Sequence, residues 1–62
     1  MKVKVKDKVY QFNSKMRGIE LLKELNLQPQ SNIIIRNGQV ITEEDYLEPK
    51  DSVEIINAIS GG

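Results

Sequence analysis

The last two residues, Gly61-Gly62, are where the types and spacing in this sequence first suggest chemistry. A C-terminal carboxylate that must enter another enzyme's active site needs a thin arm without side chains. Glycine supplies one, because it lacks Cβ and tolerates backbone angles closed to other residues. On that reading the Gly62 carboxylate is the reacting group, and Ser60 and Gly61 complete the arm. At about 7% average glycine usage, such a dipeptide arises by chance in roughly one chain in 200, so the pair needs context to carry weight.

Other reactive groups are scarce. The chain has no Cys and no His. That excludes a Cys nucleophile, a Ser–His or Cys–His pair, and zinc or haem sites of the usual kind. Glu43-Glu44 is a pair of neighbours in a polar stretch, where solvation leaves neither carboxyl tuned for acid–base work. Asn13-Ser14-Lys15 has Lys where a glycosylation sequon needs Ser or Thr. With 62 residues there is room for one small domain, which buries only about 60% of the surface of its unfolded chain. A closed pocket does not fit in such a core, so a carrier or binding role is expected and an enzyme is not. Nine Lys+Arg balance nine Asp+Glu, which argues against a nucleic-acid partner. The longest apolar run, Ile33-Ile34-Ile35, is too short to span a membrane. A cytoplasmic chain, monomeric when free, is the expectation.

The elements that must position the tail follow from periodicity. Met1, Val3 and Val5 alternate with Lys2, Lys4 and Lys6, which is a half-buried strand with valines inward. Val9 to Phe12 reads as the return arm of a hairpin. Asn13 and Ser14 are capping types ahead of a helix expected from about Met16 to Asn26. Its inner face is Gly18, Leu21, Leu22 and Leu25, with Ile19 at the margin. Gly18 weakens a helix, and close approach of the helix to a sheet would explain it. Pro29 ends any continuation. Ile33 to Ile35 is a strand, Asn37-Gly38 a type I′ turn, and Gln39 to Ile41 the return strand. Thr42 to Leu47 is polar, with room for one helical turn. Val53 to Asn57 is the last strand. The order is β-β-α-β-β-β, an α+β fold with a mixed sheet on one helix. A right-handed crossover puts the last strand beside the first, in parallel. That arrangement is the β-grasp, or ubiquitin-like, fold over residues 1–59, with 60–62 as a flexible Ser-Gly-Gly tail.

With that frame, several segments resemble the ThiS/MoaD family of sulfur carriers. They are Glu20-Leu21-Leu22-Lys23-Glu24-Leu25, Arg36-Asn37-Gly38-Gln39-Val40-Ile41, Asp51-Ser52-Val53-Glu54-Ile55-Ile56 and Ile59-Ser60-Gly61-Gly62. Length and the short first hairpin are closer to ThiS, although Thr42-Glu43 stands where many ThiS sequences carry Pro-Arg. The resemblance implies that an E1-like adenylating enzyme uses ATP and magnesium to activate Gly62. Sulfur from a persulfide then gives a thiocarboxylate, which donates to a synthase. Thiazole synthase of thiamin biosynthesis is the first choice, with molybdopterin or tRNA thiolation as alternatives, or conjugation through Gly62 to proteins. The chain itself would bind no cofactor.

A docking patch is also expected. If Ile33 and Ile35 face the helix, then Ile34, Arg36 and Ile56 lie on the outer face of the sheet and lead toward Ile59. A one-residue slip of register would reverse that choice. Lys2, Lys4 and Lys6, and the acidic run Glu43, Glu44, Asp45 and Glu48, are expected to be solvated surface. Guarding of an exposed strand edge is a further explanation for the lysines.

Overall fold

The computed structural model describes residues 1–58. Among the described residues, seven strands and one α-helix follow one another. They are β1 (Lys2–Val5), β2 (Lys8–Gln11), β3 (Met16–Arg17), α1 (Gly18–Glu24), a 3₁₀ turn (Pro29–Ser31), β4 (Asn32–Arg36), β5 (Gln39–Ile41), β6 (Tyr46–Leu47) and β7 (Ser52–Asn57). Five strands form the main sheet in the order β2-β1-β7-β4-β5, and β3 and β6 form a separate two-stranded ribbon. β7 runs parallel to β1 and antiparallel to β4, so the last strand occupies the centre of the sheet. This is the expected β-grasp. Among the described residues, no helix is long and apolar enough to cross a membrane.

The core lies between α1 and one face of the sheet. Met1, Val3, Leu21, Leu22, Ile34, Leu47, Val53 and Ile55 are buried there. The alternation of Val3 with Lys2 and Lys4, and of Val53 and Ile55 with Glu54, sorts these strands as the period of two requires. β1 is paired on both sides, so its lysines are not guarding an edge.

The helix is shorter than its sequence pattern. Met16 and Arg17 pair with Leu47 and Tyr46 in the ribbon instead of joining it. Asn13 and Ser14 therefore lie too far upstream to cap it. The first turn is satisfied by other groups. The Arg17 main-chain N–H donates to Glu20 Oε1 at 2.7 Å, Gly18 N–H to the Asp45 carbonyl at 2.9 Å, and Ile19 N–H to the Glu43 carbonyl at 2.8 Å. The acidic run thus lies beside the helix N-terminus, where negative charge is favourable. At the other end Asn26 takes φ 58°. Its N–H donates to the Lys23 carbonyl, and Leu27 N–H donates to the Leu22 carbonyl, which together form a Schellman cap.

Gly18 has the role its cost suggested. A Cβ there would come within 2.7 Å of Ile34 Cδ1 and 3.1 Å of the Glu43 main chain. The helix lies directly on the sheet at that point. Asn37 and Gly38 both take positive φ, 51° and 85°, as a type I′ turn demands. Asp51 is buried and ties that turn to the next one. It accepts hydrogen bonds from the Glu48 main-chain N–H at 2.8 Å and from Asn37 Nδ2 at 3.1 Å. The Glu48 bond is the main reason its carboxyl sits below the usual aspartate range; burial opposes this, and the Asn37 bond adds to it.

Two measurements check these points. Gly18→Ala gains up to about 1 kcal/mol of helix propensity, but overpacking costs about 1–3 kcal/mol. A net loss is expected in urea unfolding, and a gain would rule out the close contact. Asp51 has a lowered folded-state pKa, so its stabilisation is complete above the ordinary aspartate value of about 4. It is lost as pH falls through the lower folded value. Asp51→Asn should be less stable by about 1–3 kcal/mol at neutral pH and should show a flatter acid limb. An unchanged acid limb would count against the assignment.

Candidate functional site

β7 is the central strand of the main sheet, paired with β1 on one side and β4 on the other, so the chain is anchored on both sides up to Ile55 and by β4 as far as Asn57. The ladder continues one step past β7, where Ala58 N–H donates to the Ser31 carbonyl at 2.7 Å. Ile59, Ser60, Gly61 and Gly62 lie outside the described residues.

The outer face of the sheet is next, and it corrects the expected side of β4. Ile34 is 2% exposed and packs in the core, beneath Gly18. It is therefore not part of a docking surface. The reason is register. Ile34 lies opposite Ile55 on β7, and directly opposed residues share a face of the sheet. Ile55 is buried, so Ile34 is too. Arg36 shares the parity of Ile34 and opposes Val53, so it also belongs to the inner side. Its Nη1 reaches past the end of the core and donates to the Tyr46 carbonyl at 2.6 Å, tying the sheet to the ribbon.

An exposed apolar patch nonetheless exists, made from the other parity. Ile56 is 42% exposed and faces Ile33, which is 37% exposed. Ile35 is half-buried beside Val40, which is 72% exposed on the edge strand β5. These four residues lie on the outer face of β7, β4 and β5, which they share with Glu54 opposite Ile35, and Ile33 and Ile56 lie next to the point where the chain leaves β7. Lys2 and Lys4 continue the face across β1, with Lys4 level with Glu54. The face thus changes from apolar to charged at β7, with Glu54 beside Lys4.

One surface cluster had no sequence signal. Tyr46 lies in the ribbon with Lys15 Nζ and Arg17 Cζ each 5.0 Å from its ring centroid. Lys15 also pairs with Glu48 at 3.5 Å. The four residues come from two segments that the two-residue strands β3 and β6 bring together, and strands that short leave no periodic pattern. Among the described residues, no group of three or more Asp or Glu is placed to hold a metal ion.

What the described residues offer is a central strand, β7, that ends beside an apolar face. The sequence profile of the ThiS family matches residues 2–62.

The chain belongs to the ThiS family.

A relative by sequence is the sulfur carrier protein TtuB of Thermus thermophilus. It is 40% identical over 43 residues, which cover 69% of this chain and 66% of the relative. The aligned part is thus just under two thirds of the relative's length. For this ThiS-family chain the Asn37-Gly38 and Asp51 motifs have a structural meaning, since the Asn37 and Asp51 side chains bond to each other.

The two sides of β4 and β7 can be told apart by mutation. Ile34→Ala should cost about 2–5 kcal/mol of unfolding free energy, whereas Ile56→Ala should stay within about 1 kcal/mol. Similar losses for the two variants in urea titrations would contradict the assignment of faces.

Proposed function

We propose that this chain is a sulfur carrier that uses the C-terminal carboxylate of Gly62. The observation that carries the proposal is the ThiS-family match, which extends through Ser60-Gly61-Gly62 to the last residue. The chemistry supports it. A carboxylate is a poor electrophile, and hydroxide or oxide is a poor leaving group. An E1-like partner with ATP and magnesium forms the acyl-adenylate and releases pyrophosphate. A persulfide sulfur displaces AMP to give an acyl disulfide, and a thiol then cleaves its S–S bond, leaving the thiocarboxylate and a disulfide. The carrier is a substrate in these steps and not a catalyst. It contributes the carboxylate, a slender glycine arm and a recognition surface. Ile33, Ile35, Val40 and Ile56 form that surface.

Thiazole synthase of thiamin biosynthesis is the first acceptor to test. A second reading, sulfur donation in tRNA thiolation or to molybdopterin, is favoured by Thr42-Glu43, which departs from the Pro-Arg of many ThiS sequences. In the structure that segment bears on the helix. Thr42 N–H and Oγ1 donate to Asp45 Oδ2, and the Glu43 carbonyl accepts from Ile19. Conjugation of Gly62 to protein lysines shares the adenylate step and is read out by Gly-Gly remnants on other proteins.

Removal of Gly61-Gly62 tests the proposal in cells. The truncated chain should fold normally and fail to support the sulfur-dependent pathway that the full chain supports. Full complementation by the truncated chain would overturn the carrier role. Complementation of a thiamin-requiring strain, against restoration of thiolated tRNA or molybdopterin, separates the acceptors.

A further inference from the structure

The Asn37-Gly38 turn carries chemistry that sulfur carriage does not use. Asn-Gly is the dipeptide in which a main-chain nitrogen most readily attacks the preceding side-chain amide, because glycine puts no Cβ in the way. The tip is open: a Cβ built on Gly38 would meet nothing within 4 Å. Water and base therefore reach it. The Asn37 side chain, in contrast, is held at both ends. Its Nδ2 donates to Asp51 Oδ1 at 3.1 Å, and its Oδ1 accepts from Ser52 N–H at 3.0 Å. Asn37 N–H donates to the Ser52 carbonyl at 2.8 Å. Both groups that must rotate toward the Gly38 nitrogen are thus bonded away from it, to β7 and the residue before it.

We propose that Asn37 is a spontaneous deamidation site that the fold keeps closed, and that its product breaks the tie between the β4–β5 hairpin and β7. The step balances without a partner. The Gly38 main-chain nitrogen gives its proton to base and attacks Asn37 Cγ, the Cγ–Nδ2 bond breaks, and ammonia leaves. Water then opens the succinimide at either carbonyl, giving aspartate or isoaspartate. Either product loses the Nδ2 donor and sets a second carboxylate against that of Asp51. Two carboxylates at that distance disfavour each other's charged form, and Asp51 loses one of the donors that satisfy it in its buried position. Isoaspartate also adds a main-chain carbon to a turn whose two central residues need fixed positive φ. The lesion lies at the start of β7, the strand that leads to the tail, so chemical ageing at Asn37 loosens the element that roots the arm. This inference does not depend on what the tail carries.

Peptide mass spectrometry on the wild-type chain tests it. Samples are held at mildly alkaline pH, folded in buffer and unfolded in urea. In urea, Asn37 should convert faster than Asn13, Asn26, Asn32 and Asn57, which precede larger residues. In buffer the same residue should be slower by roughly tenfold or more, because local opening must come first. Equal rates at Asn37 in the two samples would overturn the gating. Asn37→Asp, which copies one product, should unfold at lower urea than wild type at neutral pH. The gap should narrow as pH falls toward about 4, where carboxylates take up protons. Wild-type stability for Asn37→Asp at neutral pH would overturn the proposed consequence.

Discussion

The structure depends on one contact, where Gly18 at the start of the helix rests on Ile34 of the sheet. A single seven-residue helix has to cover one face of a five-stranded sheet. In so short a helix little stability comes from propensity, and packing must supply the rest. Only a residue without Cβ allows the helix to settle that close, since any larger side chain would meet Ile34 and the Glu43 main chain. The same approach brings the Glu43 and Asp45 carbonyls onto the first N–H groups of the helix. Packing, capping and the placement of the acidic loop are thus one arrangement.

That contact also decides what the other face offers. With Ile34 taken into the core, Ile33 and Ile35 are turned outward, where they join Ile56 and Val40. The sheet has one helix, so this second face has no cover of its own within the described residues. β7 serves both purposes. Its inward Val53 and Ile55 complete the core, its outward Ile56 joins the patch, and its two-sided pairing anchors the chain just before the tail. Asn37 and Asp51 hold the other end of the strand through side-chain bonds to each other and to neighbouring main chain. On the proposed carrier role, in which Gly62 enters a partner's site, such a root would hold the chain in place.

Much of this was legible in the amino-acid order, for reasons that can be named. Lysines and valines alternate cleanly in β1, and Val53-Glu54-Ile55 does the same in β7. Asn37-Gly38 announced its turn, and Gly18 announced a close approach. The side of β4 was not legible, because Ile33-Ile34-Ile35 has no alternation to read. Arg36 was placed outward by the same parity as Ile34 and moves inward with it. Here its long side chain escapes the core at the end of the strand and finds the Tyr46 carbonyl. The pairing of Ile34 with Ile55 settles the side, and that register emerges only when the strands meet. The helix start was misplaced for a related reason. Met16 and Arg17 have a helical pattern locally, but pairing with Tyr46 and Leu47 outweighs it. Asp51 reads as an ordinary turn residue, and only the folded chain shows it buried and bonded.

The central claim is that Gly62 accepts sulfur, and intact-protein mass measurement tests it most directly. The chain is incubated with ATP, magnesium, a sulfur donor and an E1-like adenylating enzyme shown to be active, and its mass is then read with fragmentation to locate any change. Sulfur carriage requires the increase that corresponds to replacement of one oxygen by sulfur, placed at Gly62. An unchanged carboxylate under those conditions would contradict it.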